Sequence, residues 1–205
     1  MAEMKMISPL LDGMTVEKQG PSFDGRTYYT LRDRSTGEQL MLKVLSVPSS
    51  DSHVRALILS GAYPDEAAVN EYYRRYTEDI RKELKLGKEL TEAGFFAGAL
   101  DFQVEPRESE VGFDIYILLT RQIPLSYLLN ENAITGLRAI NLGIDICDAL
   151  ISCREAGLLF TNLTPDNIYL TPGGKFQLGG LGLTDLEELE YSCVPEEYIG
   201  AYSAP

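Results

Sequence analysis

Two short stretches of this sequence carry groups that could bind an anionic ligand. Lys43 lies in the apolar run LMLKVL, which is typical of a strand, so the sheet would fix its root while its ammonium group reaches a charged ligand. Upstream, GPSFDGRTYY places small residues at Gly20, Ser22 and Gly25, and small residues let backbone N–H groups approach phosphates. The alternatives are an exposed strand lysine and an ordinary hairpin turn.

The spacing of apolar residues predicts the elements that must position these groups. The stretch RTYYTLRD, the turn RSTGEQ and the run LMLKVLSV indicate a hairpin. Further elements are predicted as follows: strands within 14–47, a linker with at most one short helical turn over 48–64, a helix from Pro64 to about Glu92 that stops at Gly94, strands over 95–104 and 113–120, a helix over 135–156 ended by Gly157, and a hairpin formed by NIYL, TPGG and KFQLGG. This order predicts an α+β fold.

The two predicted helices differ in the width of their apolar faces. The first has one face, made by Val69, Tyr72, Tyr73, Tyr76, Ile80 and Leu84. The second has one stripe of Leu137, Ile140, Ile144, Cys147 and Ile151, widened by Leu142, Ile146, Ala149, Leu150 and Cys153. A helix that is apolar over so much of its surface is predicted to be buried in the core.

Composition excludes several classes of function. The net charge is −13, which disfavours nucleic acid as a partner because phosphate backbones require clustered Lys and Arg. No apolar run is long enough to span a bilayer, and the N-terminus lacks a secretory signal, so we expect a cytoplasmic location. Three cysteines without metal-type spacing and a single histidine leave little basis for a metal site.

These elements and residues resemble the eukaryotic-type protein kinase fold, in its bacterial Ser/Thr branch, over essentially the whole chain. The resemblance implies two lobes. The N-terminal lobe (1–121) would hold an antiparallel sheet and one helix, and the C-terminal lobe (122–205) would be partial and helical. The final A-P is similar to a substrate-docking A-P-E motif cut before its Glu. ATP and Mg²⁺ are the implied cofactors.

The resemblance implies roles for the residues that would hold ATP. Gly20, Ser22 and Gly25 correspond to the small positions of the Gly-rich loop. Lys43 corresponds to the strand lysine that binds phosphates. Its partner on the following helix is best matched by Glu83, which borders the apolar face and can point toward the sheet; a solvated glutamate is the alternative.

Residues that would surround the adenine ring depart from the family pattern. Met41 stands where relatives have a small residue, and Thr27 stands where they have Val. Met41 is long enough to fill the adenine space, although it could equally be ordinary strand packing. The family's hinge falls near Leu119, which indicates no particular ligand.

The catalytic positions of the family are changed. The H-R-D-x-x-x-x-N loop is similar to the segment in which Phe160, Thr161 and Asn162 replace H-R-D, while Asn167 keeps the final Asn, a metal ligand in relatives. Asn162 could position a hydroxyl group but cannot act as its base. Gly180 stands at the D-F-G Asp and offers no oxygen to Mg²⁺.

Three hypotheses follow from this pattern. The first is a pseudokinase: a binding, scaffolding or regulatory module with weak or no ATP binding and an unidentified protein partner. The second is an active Ser/Thr protein kinase that transfers the γ-phosphate of ATP to protein hydroxyls by unusual residues. The third is a purely structural domain whose pocket is filled by Met41.

Overall fold

The computed structural model describes residues 7–23, 25–92, 94, 96–107, 111–180 and 182–185. Strands and helices run in this order: β1 (Met14–Phe23), β2 (Arg26–Asp33), β3 (Gln39–Val47), α1 (Asp51–Leu59), α2 (Glu66–Glu92), β4 (Phe96–Ala97), β5 (Asp101–Pro106), β6 (Phe113–Thr120), β7 (Ile123–Pro124), α3 (Leu125–Asn130), α4 (Gly136–Glu155), β8 (Leu158–Phe160), a 3₁₀ turn (Pro165–Asn167), β9 (Ile168–Leu170), β10 (Phe176–Gly179) and β11 (Leu183–Asp185). The mixture confirms the predicted α+β class. Within these ranges no helix has the length and apolar character needed to cross a membrane.

The chain divides into two compact units, neither of which is continuous in sequence. The first contains Met1–Glu78 and Leu100–Thr120, and the second contains Asp79–Ala99 and Arg121–Pro205. Residues 79–99 and Arg121 belong to the second unit, and the lobe bounds of 1–121 and 122–205 stay a prediction.

An antiparallel sheet forms the centre of the first unit. Among the described residues its strand order is β1-β2-β3-β6-β5. The predicted hairpin is confirmed, since β2 pairs with β3 in unbroken register from Arg26 opposite Leu45 to Arg32 opposite Gln39. Because side chains alternate between the faces of a strand, this register decides which residues share a face.

One face of this sheet is covered by the N-terminal segment. Ile7, Leu10 and Leu11 are buried and belong to one core cluster with Leu31, Leu40, Leu42, Tyr116 and Leu118. Gln103 on β5 fastens the segment, since its amide nitrogen donates to Ser8 O at 3.0 Å. The segment therefore completes the core on this face.

One helix was wrongly predicted as part of a linker, and the next has nearly the predicted bounds. Residues 48–64 contain the nine-residue helix α1, where a linker with at most one turn was expected. Helix α2 has nearly the predicted bounds, and Asp65 caps it by accepting a hydrogen bond from Ala68 N at 2.8 Å. On the predicted apolar face of α2, Val69 and Tyr73 are buried and Tyr72 is 42% exposed.

Short strands, helices α3 and α4 and the C-terminal part of α2 build the second unit. In the described part, one sheet has the order β4-β10-β9-β7 and a second pairs β11 with β8. The predicted hairpin is confirmed as β9 and β10, which pair antiparallel. The strand predicted over 95–104 is instead two, β4 and β5, in different units. They separate at Gly98, where a Cβ would overlap with Gly87 O on α2.

Helix α4 has the predicted bounds but not the predicted burial. Thr135 caps its first turn by accepting a hydrogen bond from Arg138 N, and Gly157 follows its end with φ +75°. Ile146, Ala149 and Cys153 pack into the core of the second unit. The first predicted stripe is exposed instead: Leu137, Ile140, Ile144, Cys147 and Ile151. The expectation of a fully buried helix was therefore wrong.

Candidate functional site

The loop after β8 is anchored by an aromatic residue and a hydroxyl group. Phe160 is buried and packs edge to face against Phe96, with ring centroids 5.9 Å apart. Thr161 then holds the chain of Gly182, because its backbone nitrogen and its hydroxyl donate to Gly182 O at 2.7 and 3.0 Å. Phe160 and Thr161, which the resemblance matches to the His and Arg of H-R-D, therefore supply apolar packing and a hydrogen-bonded contact to the backbone of Gly182.

Glu83 holds the opposite side of the same backbone. Its side chain is 3% exposed, and Oε1 accepts hydrogen bonds from the backbone nitrogens of Gly182 and of Leu183, the latter at 2.8 Å. A buried carboxylate that accepts two N–H groups fixes the position of both. This contact joins α2 to the start of β11 within the second unit. The alternative prediction of a solvated Glu83 is therefore wrong.

A side chain at Gly180 would require Asn167 to move. The φ of Gly180 is +81°, a conformation that favours glycine. A Cβ at this position would overlap with the amide oxygen of Asn167 and lie 3.1 Å from Asn167 Cγ. Asn167 thus fills the volume into which any side chain at residue 180 would project.

Asn162 and Asn167 are fixed by the loop itself. The side-chain nitrogen of Asn167 donates to Asn162 O at 3.1 Å, and its backbone nitrogen donates to Thr164 O at 3.0 Å. Asn162 in turn packs on Gly182, where a Cβ would lie 2.8 Å from Asn162 N. Over the described ranges, no group of three or more His, Cys, Asp or Glu side chains could hold a metal ion.

Lys43 lies in the first unit on the sheet face opposite the N-terminal segment. Its side chain is 8% exposed, so the alternative of an exposed strand lysine is wrong. The ammonium nitrogen lies 5.9 Å from the ring centroid of Tyr28, the directly opposite residue on β2. This distance is within the range of a cation–π interaction, which stabilises the charged form of a lysine that has lost much of its water.

The predicted adenine residues do not all share a face. Met41 lies two residues before Lys43, on the same face, and pairs with Thr30 on one side and Leu119 on the other. Thr27 pairs instead with Val44, so strand alternation places it on the opposite face. Met41 and Leu119 are thus brought together, and Thr27 is not brought to them.

The glycine-rich stretch forms the tight β1–β2 connection. Gly25 has φ +69°, and its carbonyl accepts a hydrogen bond from Ser46 N at 2.7 Å. The hydroxyl groups of Ser22 and Thr27 lie 2.8 Å apart and share a hydrogen bond. Gly20 runs close to β2, where a Cβ would lie 3.3 Å from Tyr28 O. The glycines therefore serve the geometry of the hairpin.

The structure groups the predicted residues by unit. Those in the first unit are Gly20, Ser22, Gly25, Thr27, Met41, Lys43 and Leu119. Those in the second are Glu83, Asn162, Asn167 and Gly180. The pairing of Lys43 with Glu83 stays a prediction. The acidic residues after Asp185 and the A-P motif lie outside the described residues.

Tyr28 was not predicted as part of this site, although the sequence of the hairpin turn indicates its position. Tyr28 faces Lys43 because the β2–β3 turn sets the register of the hairpin. Counting outward from RSTGEQ would have identified this pair.

Comparison with known proteins assigns the chain to no group. A scan against protein-family models and a search of curated proteins both find no match.

Proposed function

We propose that this chain is a protein kinase-like domain that acts as a binding, scaffolding or regulatory module, with weak or no ATP binding. The observation that carries this proposal is the conformation at Gly180, at the position of the family's metal-binding aspartate. Phosphoryl transfer in that family relies on Mg²⁺ to neutralise the phosphate charge. Here the backbone is left-handed, and Asn167 fills the space of a side chain.

The surrounding contacts support the same proposal. The amide of Asn167, the other metal-ligand position, lies against Gly180 and donates to Asn162 O. Asn162 is pressed on Gly182, and it lacks the charge of a general base. These residues do not fit a Mg²⁺ site, because Gly180, one of the two ligand positions, has no side-chain oxygen.

The carboxylate of Glu83 has a structural role that does not depend on catalysis. It accepts hydrogen bonds from the backbone nitrogens of Gly182 and Leu183, so it is needed to hold the loop whether or not a nucleotide binds. A retained glutamate at this position is consequently weak support for an active enzyme.

The alternative of an active Ser/Thr kinase rests on Lys43. This residue is buried on a strand of the sheet beside Tyr28, and the resemblance gives it the role of binding the phosphates of ATP. The third hypothesis, a purely structural domain, rests on Met41, which lies between Thr30 and Leu119 on the same face.

A thermal-shift titration with ATP, run with and without Mg²⁺, separates these functions. A ligand at a concentration equal to its Kd stabilises by about 0.4 kcal/mol, or about 1–2 °C for a chain of this size. We expect a shift no larger than this at millimolar ATP, and no additional shift when Mg²⁺ is added.

A phosphotransfer assay provides the decisive comparison. The wild-type chain and the Lys43→Met variant are incubated with radiolabelled ATP, Mg²⁺ and a generic protein substrate, and we expect equal background incorporation. Mg²⁺-dependent incorporation that disappears in Lys43→Met would refute the proposal and establish the kinase alternative. A large Mg²⁺-dependent thermal shift without transfer would refute the weak-binding part alone.

A further inference from the structure

Helix α4 has two apolar faces, and one of them is open to solvent. We call the exposed stripe the α4 seam: Leu137 (70% exposed), Ile140 (62%), Ile144 (55%), Cys147 (exposed) and Ile151 (54%). The opposite face, with Ile146, Ala149 and Cys153, packs into the core of the second unit. The apolar residues of the seam therefore add nothing to that core, which leaves their type and order to be explained.

The spacing of the seam is that of a helix–helix contact. Its members follow one another at steps of three, four, three and four residues, which is the a/d repeat that lets two helices interlock side chains. At a rise of about 1.5 Å per residue the seam is about 20 Å long. A contiguous aliphatic stripe of this length is unusual on a free surface and indicates a site of protein contact.

Charge along the two edges of the seam specifies the partner. Asn141, Asp148 and Glu155 recur every seven residues on one edge and are exposed. The other edge carries Gly136 and Gly143, where a Cβ would meet nothing within 4 Å, so a partner backbone can approach closely there; its C-terminal end carries the exposed Arg154. The acidic edge and the net charge of −13 attract a basic helix and oppose a second copy of this chain.

A cleft beside the seam offers a place for one partner side chain. Its volume is about 230 Å³, and its walls are Asn141, Ile144, Asp145, Gly173, Gly174 and Lys175. Asp145 accepts a hydrogen bond from Phe176 N at 2.8 Å, so the wall between α4 and β10 is fixed. Ile144 belongs to both the seam and the cleft, and a helix on the seam would therefore lie over the cleft mouth.

We propose that the α4 seam binds an amphipathic helix of a partner protein, with aliphatic residues at its a and d positions and lysine or arginine along one flank. One side chain of this helix enters the cleft beside Ile144. The seam and the cleft contain none of the residues that are predicted to hold ATP. This proposal can therefore fail without the proposed function failing, and the reverse.

The test uses two synthetic three-heptad peptides, both with leucine at a and d, one with lysine along the flank and one with glutamate. Binding to the full chain is measured by fluorescence anisotropy. We expect the lysine peptide to bind and the glutamate peptide to bind at least about tenfold more weakly. Ile144→Asp should weaken the lysine peptide by about 30-fold or more, the loss typical of a central interface residue.

Matched variants make the result specific. Asp148→Lys should weaken the lysine peptide and strengthen the glutamate peptide. Gly173→Phe should fill the cleft without backbone strain, since a Cβ there meets its nearest neighbour at 3.9 Å, and should weaken binding. Leu59→Asp, on the most exposed apolar residue of α1, and Lys43→Met should leave binding unchanged. Circular dichroism checks that each variant folds, and Ile140→Asp replaces Ile144→Asp if the latter does not.

Three outcomes would overturn the proposal. The first is no binding of either peptide, and the second is equal binding of both. The third comes from sedimentation of the chain alone: a dimer that Ile144→Asp converts to a monomer would make a second copy the occupant of the seam.

Discussion

Replacing Gly180 tests the central geometric argument. Gly180→Ala adds a single Cβ, and Gly180→Asp adds the carboxylate that an active kinase would need. Both variants force an L-residue into φ +81°, and both place a Cβ against the amide oxygen of Asn167. The structure therefore predicts that even the alanine variant is destabilised, although it removes no atom.

The expected magnitude is the sum of two terms. An alanine in the left-handed region costs about 1–2 kcal/mol, and an aspartate, which adopts this region more readily, costs less. Displacing the buried Asn167 breaks its hydrogen bond to Asn162 O, and leaving such a group unsatisfied costs about 1–3 kcal/mol. Together these terms predict a loss of about 2–5 kcal/mol in the free energy of unfolding, and a fall of about 4–20 °C in Tm for a chain of this length.

Urea unfolding and calorimetry of wild type, Gly180→Ala and Gly180→Asp measure this loss. Gly143→Ala is the matched control, because Gly143 lies within a helix and a Cβ there meets nothing within 4 Å. We expect it to stabilise the protein by about 0.5–1 kcal/mol. The double variant Asn167→Ala/Gly180→Ala should recover the part of the loss that comes from the overlap, which a double-mutant cycle isolates.

An unchanged Tm for Gly180→Ala would refute the reasoning, because it would show that the loop accepts a side chain. A stable Gly180→Asp variant that gains Mg²⁺-dependent ATP binding would refute it more strongly. It would mean that the metal-binding geometry is intact and lacks only the carboxylate.

Three further predictions concern single side chains. Glu83→Ala should cost about 3 kcal/mol in urea unfolding because the backbone nitrogens of Gly182 and Leu183 lose their acceptor, while Glu83→Gln, which keeps an oxygen, should cost less; equal losses would contradict this role. Asp65→Ala should lower stability by about 1 kcal/mol through the lost cap of α2, and Asp65→Asn should restore most of it when both are compared by Tm. Burial, with a smaller contribution from Asp114, raises the pKa of Tyr116 to about 12. An unfolded tyrosine ionises near pH 10, so stability should be complete below pH 10 and fall by about 2–3 kcal/mol between pH 10 and 12. Tyr116→Phe should flatten that fall in urea unfolding across this range, and an unchanged slope would contradict the assignment.

Local patterns predicted much of the framework. The β2–β3 hairpin, the bounds of α2 and α4 and the β9–β10 hairpin each follow from apolar spacing together with a turn or cap signal. These signals act over a few residues, so one sequence is enough to identify them. The short helix α1 was missed because its nine residues are fewer than the roughly 11–18 over which a helical apolar period can be recognised.

The candidate site was predictable in its residue types but not in its contacts. Lys43 on a strand and Glu83 at the edge of a helix face were both correctly placed. The left-handed conformation at Gly180 and its overlap with Asn167 were not predictable, because they depend on two loops that are distant in sequence. The sequence indicates only that Gly180 lacks the side chain of a metal ligand. The structure adds that no side chain can occupy this position without displacing Asn167.

The sequence by itself determined which segments are strands and helices and which residues along them are apolar, because periodicity is a property of neighbouring positions. Only the tertiary structure decided which apolar face is covered. Ile7, Leu10 and Leu11 cover one side of the first unit's sheet, while the α4 seam stays open. The physical reason is that burial requires a complementary surface from elsewhere in the fold, and periodicity cannot specify where that surface comes from.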